Sequence, residues 1–169
     1  DEGDNFLSFD FSAPNLEEKI KQALKTVTGA CLVVNMPCSE DNYALETLAT
    51  ALGTPLLEKR NINGGMTCRV EPVADDPVPA YANTPYPFAG HTDCADFPEP
   101  PDTVLLLCES PAESGGESVF SLLAQILPLL SIDTLLGLQR PHFLFRNTYG
   151  PVLFKKNGQS VIRYNRVLM

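Results

Sequence analysis

The chain reads as an α+β fold built around a sheet sandwich or barrel. Three observations predict it. Apolar spacing gives helix, strand and helix in the first third, then mainly strands with a helical insert. Residues 103–108 (TVLLLC) form a continuous apolar run, the pattern of a strand buried on both faces. Asn157-Gly158 joins two strand-like runs and is a strong hairpin signal.

The elements follow in order. Residues 15–25 (NLEEKIKQALK) put Leu16, Ile20, Ala23 and Leu24 on one side at helical spacing, with Pro14 and Asn15 as a start and Gly29 as a stop. Residues 30–36 (ACLVVNM) read as a short buried strand ended by Pro37. Ser39 is the expected N-cap of a second helix over 42–52, with Leu45, Leu48, Ala49 and Leu52 apolar and Gly53 closing it. Residues 56–90 are rich in Pro, Gly, Asn and Asp, and one or two short strands are expected there, such as 67–70. Long irregular loops within compact domains tend to carry function. After the apolar run 103–108, Gly115-Gly116 predicts a turn, 118–120 a further strand, and 121–130 and 132–138 helices, with Pro141 as a breaker. Strand-like segments at 142–146, 152–156 and 160–164 complete the chain. A sandwich needs more strands than can be counted after His91, so the fold is expected to be incomplete at its C-terminal end.

Bulk properties bound the function. The 169 residues fit a single domain, with a helix and strand region at 1–60, a loop region at 61–102, and core strands with the helical insert at 103–169. Hydrophobic residues make up 44% and charged residues 20%, which predicts a packed core and excludes wholesale disorder. The net charge of −9 argues against nucleic acid or an anionic membrane as partner, since both select a basic face. Five cysteines, an odd number with no Cys-x-x-Cys pair, indicate neither a zinc ribbon nor a disulfide framework. Free thiols point to a reducing compartment. No apolar run has the length of a membrane span, and the acidic start Asp1-Glu2-Gly3-Asp4 does not resemble a signal peptide. The expected location is the cytoplasm; oligomeric state has no signature.

The chemistry concentrates in His91-Thr92-Asp93, at the end of the Pro-rich loop. Residues two apart on an extended backbone point to the same side. An imidazole nitrogen and a carboxylate oxygen can then share one divalent metal, as two members of a 2-His-1-carboxylate set that suits non-heme Fe(II). His91 would bind as the neutral imidazole, its other nitrogen held by an acceptor behind it. The ordinary alternative is a loop histidine hydrogen-bonded to a nearby aspartate. The chain holds only one other histidine, His142, and a zinc or cupin-like site of His91, Asp93 and His142 is a further alternative. Gly64-Gly65 and Gly115-Gly116 lack phosphate-loop patterns. Cys94 has no context of a nucleophilic cysteine.

The surroundings of the pair carry a resemblance. His91-x-Asp93 is followed by Pro100-Pro101, the apolar run Val104 to Leu107, Pro111 and then Gly115-Gly116-Glu117-Ser118; upstream lies Leu52-Gly53-Thr54-Pro55. In this order the motifs resemble the taurine dioxygenase-like (clavaminate synthase-like) family of Fe(II)/2-oxoglutarate-dependent oxygenases, over about 29–118 and more loosely to Arg166. The resemblance implies a double-stranded β-helix, or jelly roll, with flanking helices. It implies Fe(II) as cofactor, 2-oxoglutarate as co-substrate, and oxidation of a small molecule such as an amino acid or small acid. His91 and Asp93 would be metal ligands, Ser118 would hydrogen-bond 2-oxoglutarate, and Asn83 and Thr84 would lie near the substrate. The family's second histidine and its 2-oxoglutarate-binding arginine have no counterpart in this chain. Arg163 and Arg166 do not stand in that arginine's place; both are candidates for contact with substrate, the ordinary alternative being salt bridges at a strand end. The alternative function is a catalytically incomplete jelly-roll protein that acts as a binding or partner module.

Overall fold

The computed structural model describes residues 6–26, 28–57, 65–71, 84, 86–166 and 169. The chain divides into two compact units, Asp1–Arg69 with Leu105–Gly116, and Val70–Val104 with Glu117–Met169. Helices and strands are both present, as an α+β chain requires.

The first unit begins with strand β1 (Leu7–Asp10), helix α1 (Leu16–Ala23) and strand β2 (Cys31–Val34), and adds helix α2 (Tyr43–Leu52). The strands pair in parallel with Leu7 opposite Cys31 and Asp10 opposite Val34, so α1 is the crossover between them. Leu16, Ile20 and Ala23 recur at intervals of four and three, which puts them on one buried stripe of α1. Leu16 and Ile20 meet Leu48 of α2, and Phe9, Val33 and Leu105 pack around them. Glu17 and Glu18 in the first turn of α1 and Lys21 in the last complement the helix dipole. Asn42, not Ser39, caps α2, in the left-handed region at φ 52. Ser39 instead donates its hydroxyl to Asp41 Oδ1 (2.6 Å), which also accepts from Tyr43 N (3.2 Å).

The second unit holds helix α3 (Leu123–Ile126), a 3-10 turn (Leu127–Leu129) and helix α4 (Ile132–Leu138). The expected helix over 121–130 is split because Pro128 has no N–H to continue an α-helical ladder. Ser131 caps α4, accepting from Thr134 N at 3.1 Å. Two hairpins follow: β3 (Phe143–Phe145) with β4 (Thr148–Gly150), and β5 (Leu153–Lys156) with β6 (Gln159–Ile162), both antiparallel. Asn157 and Gly158 take φ 51 and 81, the paired positive angles of a type I′ turn. Phe145 and Val152 are buried with Ala95, and Leu138, Phe143 and Ile162 close around them.

Three expected strands are absent among the described residues: 67–70, 118–120 and 103–108. The last is the instructive one. Residues 103–108 keep the two-residue alternation of a strand, with Leu105 and Leu107 half-buried while Val104 is 48% and Leu106 70% exposed. A strand buried on both faces needs a hydrogen-bonded neighbour on each edge, and the described residues provide none. For the same reason the described residues form three two-stranded sheets and not a closed double-stranded β-helix.

Candidate metal centre

His91 and Asp93 lie in the second unit, just after the Pro-rich stretch of the sequence. His91 forms an antiparallel bridge with Asn165. Thr92 N donates to Tyr164 O at 2.7 Å, and Tyr164 N donates to Thr92 Oγ1 at 3.0 Å. These bonds hold the segment extended through the residue between the two side chains. Residues 93–96 then form a turn, closed by Phe97 N donating to Cys94 O at 2.9 Å, with Cys94 left-handed at φ 52.

The two side chains converge. His91 Nε2 lies 3.4 Å from Asp93 Oδ1. The other ring nitrogen, Nδ1, is 2.9 Å from the carbonyl oxygen of Ala89. A carbonyl only accepts, so Nδ1 carries the hydrogen, and in a neutral imidazole the lone pair is then at Nε2. In that form the lone pair faces the Asp93 carboxylate oxygen, two acceptors that a shared cation or a proton on Nε2 would reconcile. Phe88 stacks on the imidazole with ring centroids 3.8 Å apart and planes 23° from parallel, fixing the ring's orientation. The His91 side chain is 25% and the Asp93 side chain 46% exposed, so the pair is open to ligand.

The donor set fits a divalent metal in part. Two donors at adjacent octahedral positions, each about 2.1 Å from a metal, sit about 3 Å apart. The observed 3.4 Å needs only a small side-chain adjustment to reach that spacing. Imidazole nitrogen and carboxylate oxygen are donors that Fe(II) accepts. Among the described residues no third His, Cys, Asp or Glu joins them. The site of His91, Asp93 and His142 is therefore not formed: His142 is exposed and packs its ring on Phe143, 4.4 Å between centroids.

The remaining expected residues stand as follows. Thr84 is half-buried, and Asn83 lies outside the described residues. Ser118 is exposed on an irregular segment. Arg163 is buried, with 4% of its surface exposed. Its Nη1 donates to Phe97 O at 3.0 Å and its Nε to Pro151 O at 3.4 Å. The guanidinium lies 4.2 Å from the Phe145 ring centre, and burial pushes its pKa below the ordinary arginine value. Arg146 was not singled out from the sequence. Its Nε lies 3.2 Å from Asp96 Oδ2, across fifty positions of chain, a separation that no local pattern encodes.

A profile of the taurine catabolism dioxygenase TauD, TfdA family matches residues 2–166. The chain belongs to this family. Its members are, in general, Fe(II)- and 2-oxoglutarate-dependent dioxygenases. No curated protein and no solved structure matches the chain. Among the described residues no helix is long and apolar enough to cross a membrane.

Proposed function

We propose that the chain acts as an Fe(II)/2-oxoglutarate-dependent dioxygenase on a small molecule such as an amino acid or small acid, with His91 and Asp93 as two of its metal ligands. One observation carries the reading: His91 Nε2 and a carboxylate oxygen of Asp93 lie 3.4 Å apart, while Nδ1 is tied to Ala89 O. Bound Fe(II) with 2-oxoglutarate supplies the activation of dioxygen that oxidises an unactivated carbon. The chain's own residues do the rest. Ala89 O holds the tautomer that leaves Nε2 free to ligate, and Asp93 brings a negative charge that offsets the metal. Phe88 covers one face of the ring and keeps water from it. Ser118 is assigned a hydrogen bond to 2-oxoglutarate, and Asn83 and Thr84 the side from which substrate approaches. In the same reading, the two hairpins of the second unit belong to the family's jelly roll.

The test is an anaerobic titration of the full chain with Fe(II), followed by succinate formation. His91→Ala and Asp93→Ala are each expected to weaken metal binding by about 100-fold or more, beyond the cost of losing a residue that only orients a ligand. Both variants are expected to produce no succinate. Unchanged binding in either one overturns the assignment, as does undiminished succinate output from a variant where the wild-type chain forms succinate. A wild-type chain that binds substrate or a partner but no Fe(II) is the binding module that the family fold also permits.

A further inference from the structure

Asp93 is aimed by a turn that is anchored elsewhere. Among the described residues its carboxylate meets only His91, so its direction follows from the backbone of residues 93–97. Ala95, inside that turn, is fully buried against Phe145 and Val152. Two arginines, one from each hairpin, grip the turn's far end. Arg146, left-handed at φ 50 in the β3–β4 turn, sets its Nε 3.2 Å from Asp96 Oδ2. Arg163, directly after β6, donates from Nη1 to Phe97 O at 3.0 Å. Gly150 makes room for the second contact, since a Cβ at that position would overlap Arg163 Nη2.

We infer that Arg146 and Arg163 are positioning residues for the metal pair: holding Asp96 and the Phe97 carbonyl, they fix the turn that directs Asp93 toward His91 Nε2. The inference rests on the metal-binding reading and assigns Arg163 this role in place of a contact with substrate. A charged donor on a carbonyl or carboxylate makes a strong, directional bond, and two such bonds at one end of the 93–97 segment leave its other end little freedom. Residues that orient metal ligands from behind typically contribute ten- to hundredfold to metal affinity.

The test uses Co(II), whose visible absorption reports the geometry of its ligands, titrated into the full chain alongside a thermal melt. Arg146→Gln removes the contact to Asp96 from a half-exposed position where the fold tolerates change. Gly150→Ala displaces the Arg163 guanidinium without altering its charge. Each is expected to weaken Co(II) binding by about tenfold or more and to shift the absorption, with Arg146→Lys recovering part of the affinity. Folded Arg146→Gln with wild-type affinity and spectrum overturns the inference. If Gly150→Ala does not fold, Arg146→Gln decides alone. His91→Ala in the same titration separates the two claims. If it keeps wild-type affinity, or if the wild-type chain binds no Co(II), the metal reading itself fails. If it loses affinity while Arg146→Gln does not, only the positioning role fails.

Discussion

Three donors converge on the carboxylate of Asp10, at the end of β1. Ser12 gives its backbone N–H (2.8 Å) and its hydroxyl (2.5 Å) to Oδ1, and Asn35 Nδ2 reaches Oδ2 at 2.6 Å from just beyond β2. Hydrogen bonds to the charged form stabilise it, and the Ser12 hydroxyl, then Asn35, holds the Asp10 carboxyl below its ordinary pKa. The sign follows from linkage. The depressed group contributes stability that is fully present above the unfolded pKa, near 3.9, and is lost as pH falls through the lower folded value. Asp10→Asn is therefore expected to lower the urea midpoint at pH 7, with the difference from wild type shrinking as pH falls below about 3.9. A gap that stays constant or widens in acid would show that the carboxylate does not couple the strand ends. The same scale holds what was most legible in the sequence. His91 and Asp93 could be paired from their spacing alone, because extended backbone repeats its side-chain direction every second residue. The clamp on Asp96 and Phe97 could not, because Arg163 and Phe97 are separated by sixty-six positions and meet only once the hairpins are folded.

At the scale of elements, the second unit depends on a small core between its two hairpins. Phe145 is fully buried, contacts Ala95 and Val152, and lies under the Arg163 guanidinium. Phe145→Ala removes the largest side chain of that cluster and is expected to cost about 3–5 kcal/mol, the usual range for a phenylalanine truncated in a packed core. Urea denaturation checks it; a loss below about 1 kcal/mol would mean that the cluster collapses freely and confers little stability. Helices α1, α2 and α4 and strands β5 and β6 were readable because their information is local: apolar spacing, a cap, a Gly or Pro stop, an Asn-Gly turn. Strand β4 was missed because Thr148-Tyr149-Gly150 is too short to show a period and ends in glycine. Its glycine is explained only by the arginine that packs on it. TVLLLC was misread for the opposite reason. Its composition is that of a central strand, but strand status belongs to the sheet, and the described residues give this run no neighbour to pair with.

The whole molecule combines an acidic surface with much exposed apolar side chain. Val119 is 89% and Leu129 83% exposed, and Leu106, Ile132 and Phe120 are exposed as well. Apolar groups left in water favour association, and charge of one sign opposes it. At pH 7 the balance includes a net charge of −9, and that charge vanishes near the pI of about 4.6. As carboxylates take up protons between those values, repulsion falls while the apolar surface stays the same, so light scattering at fixed protein concentration is expected to rise steadily toward pH 4.6. Salt supplies an independent check. At 1 M ionic strength the screening length falls to about 3 Å, which removes repulsion between molecules without protonating any group. Scattering at pH 7 should therefore rise with salt if charge is what keeps the chains apart. Scattering that stays flat along both the pH and the salt axes would mean that the exposed leucines, valines and isoleucine do not present an adhesive surface.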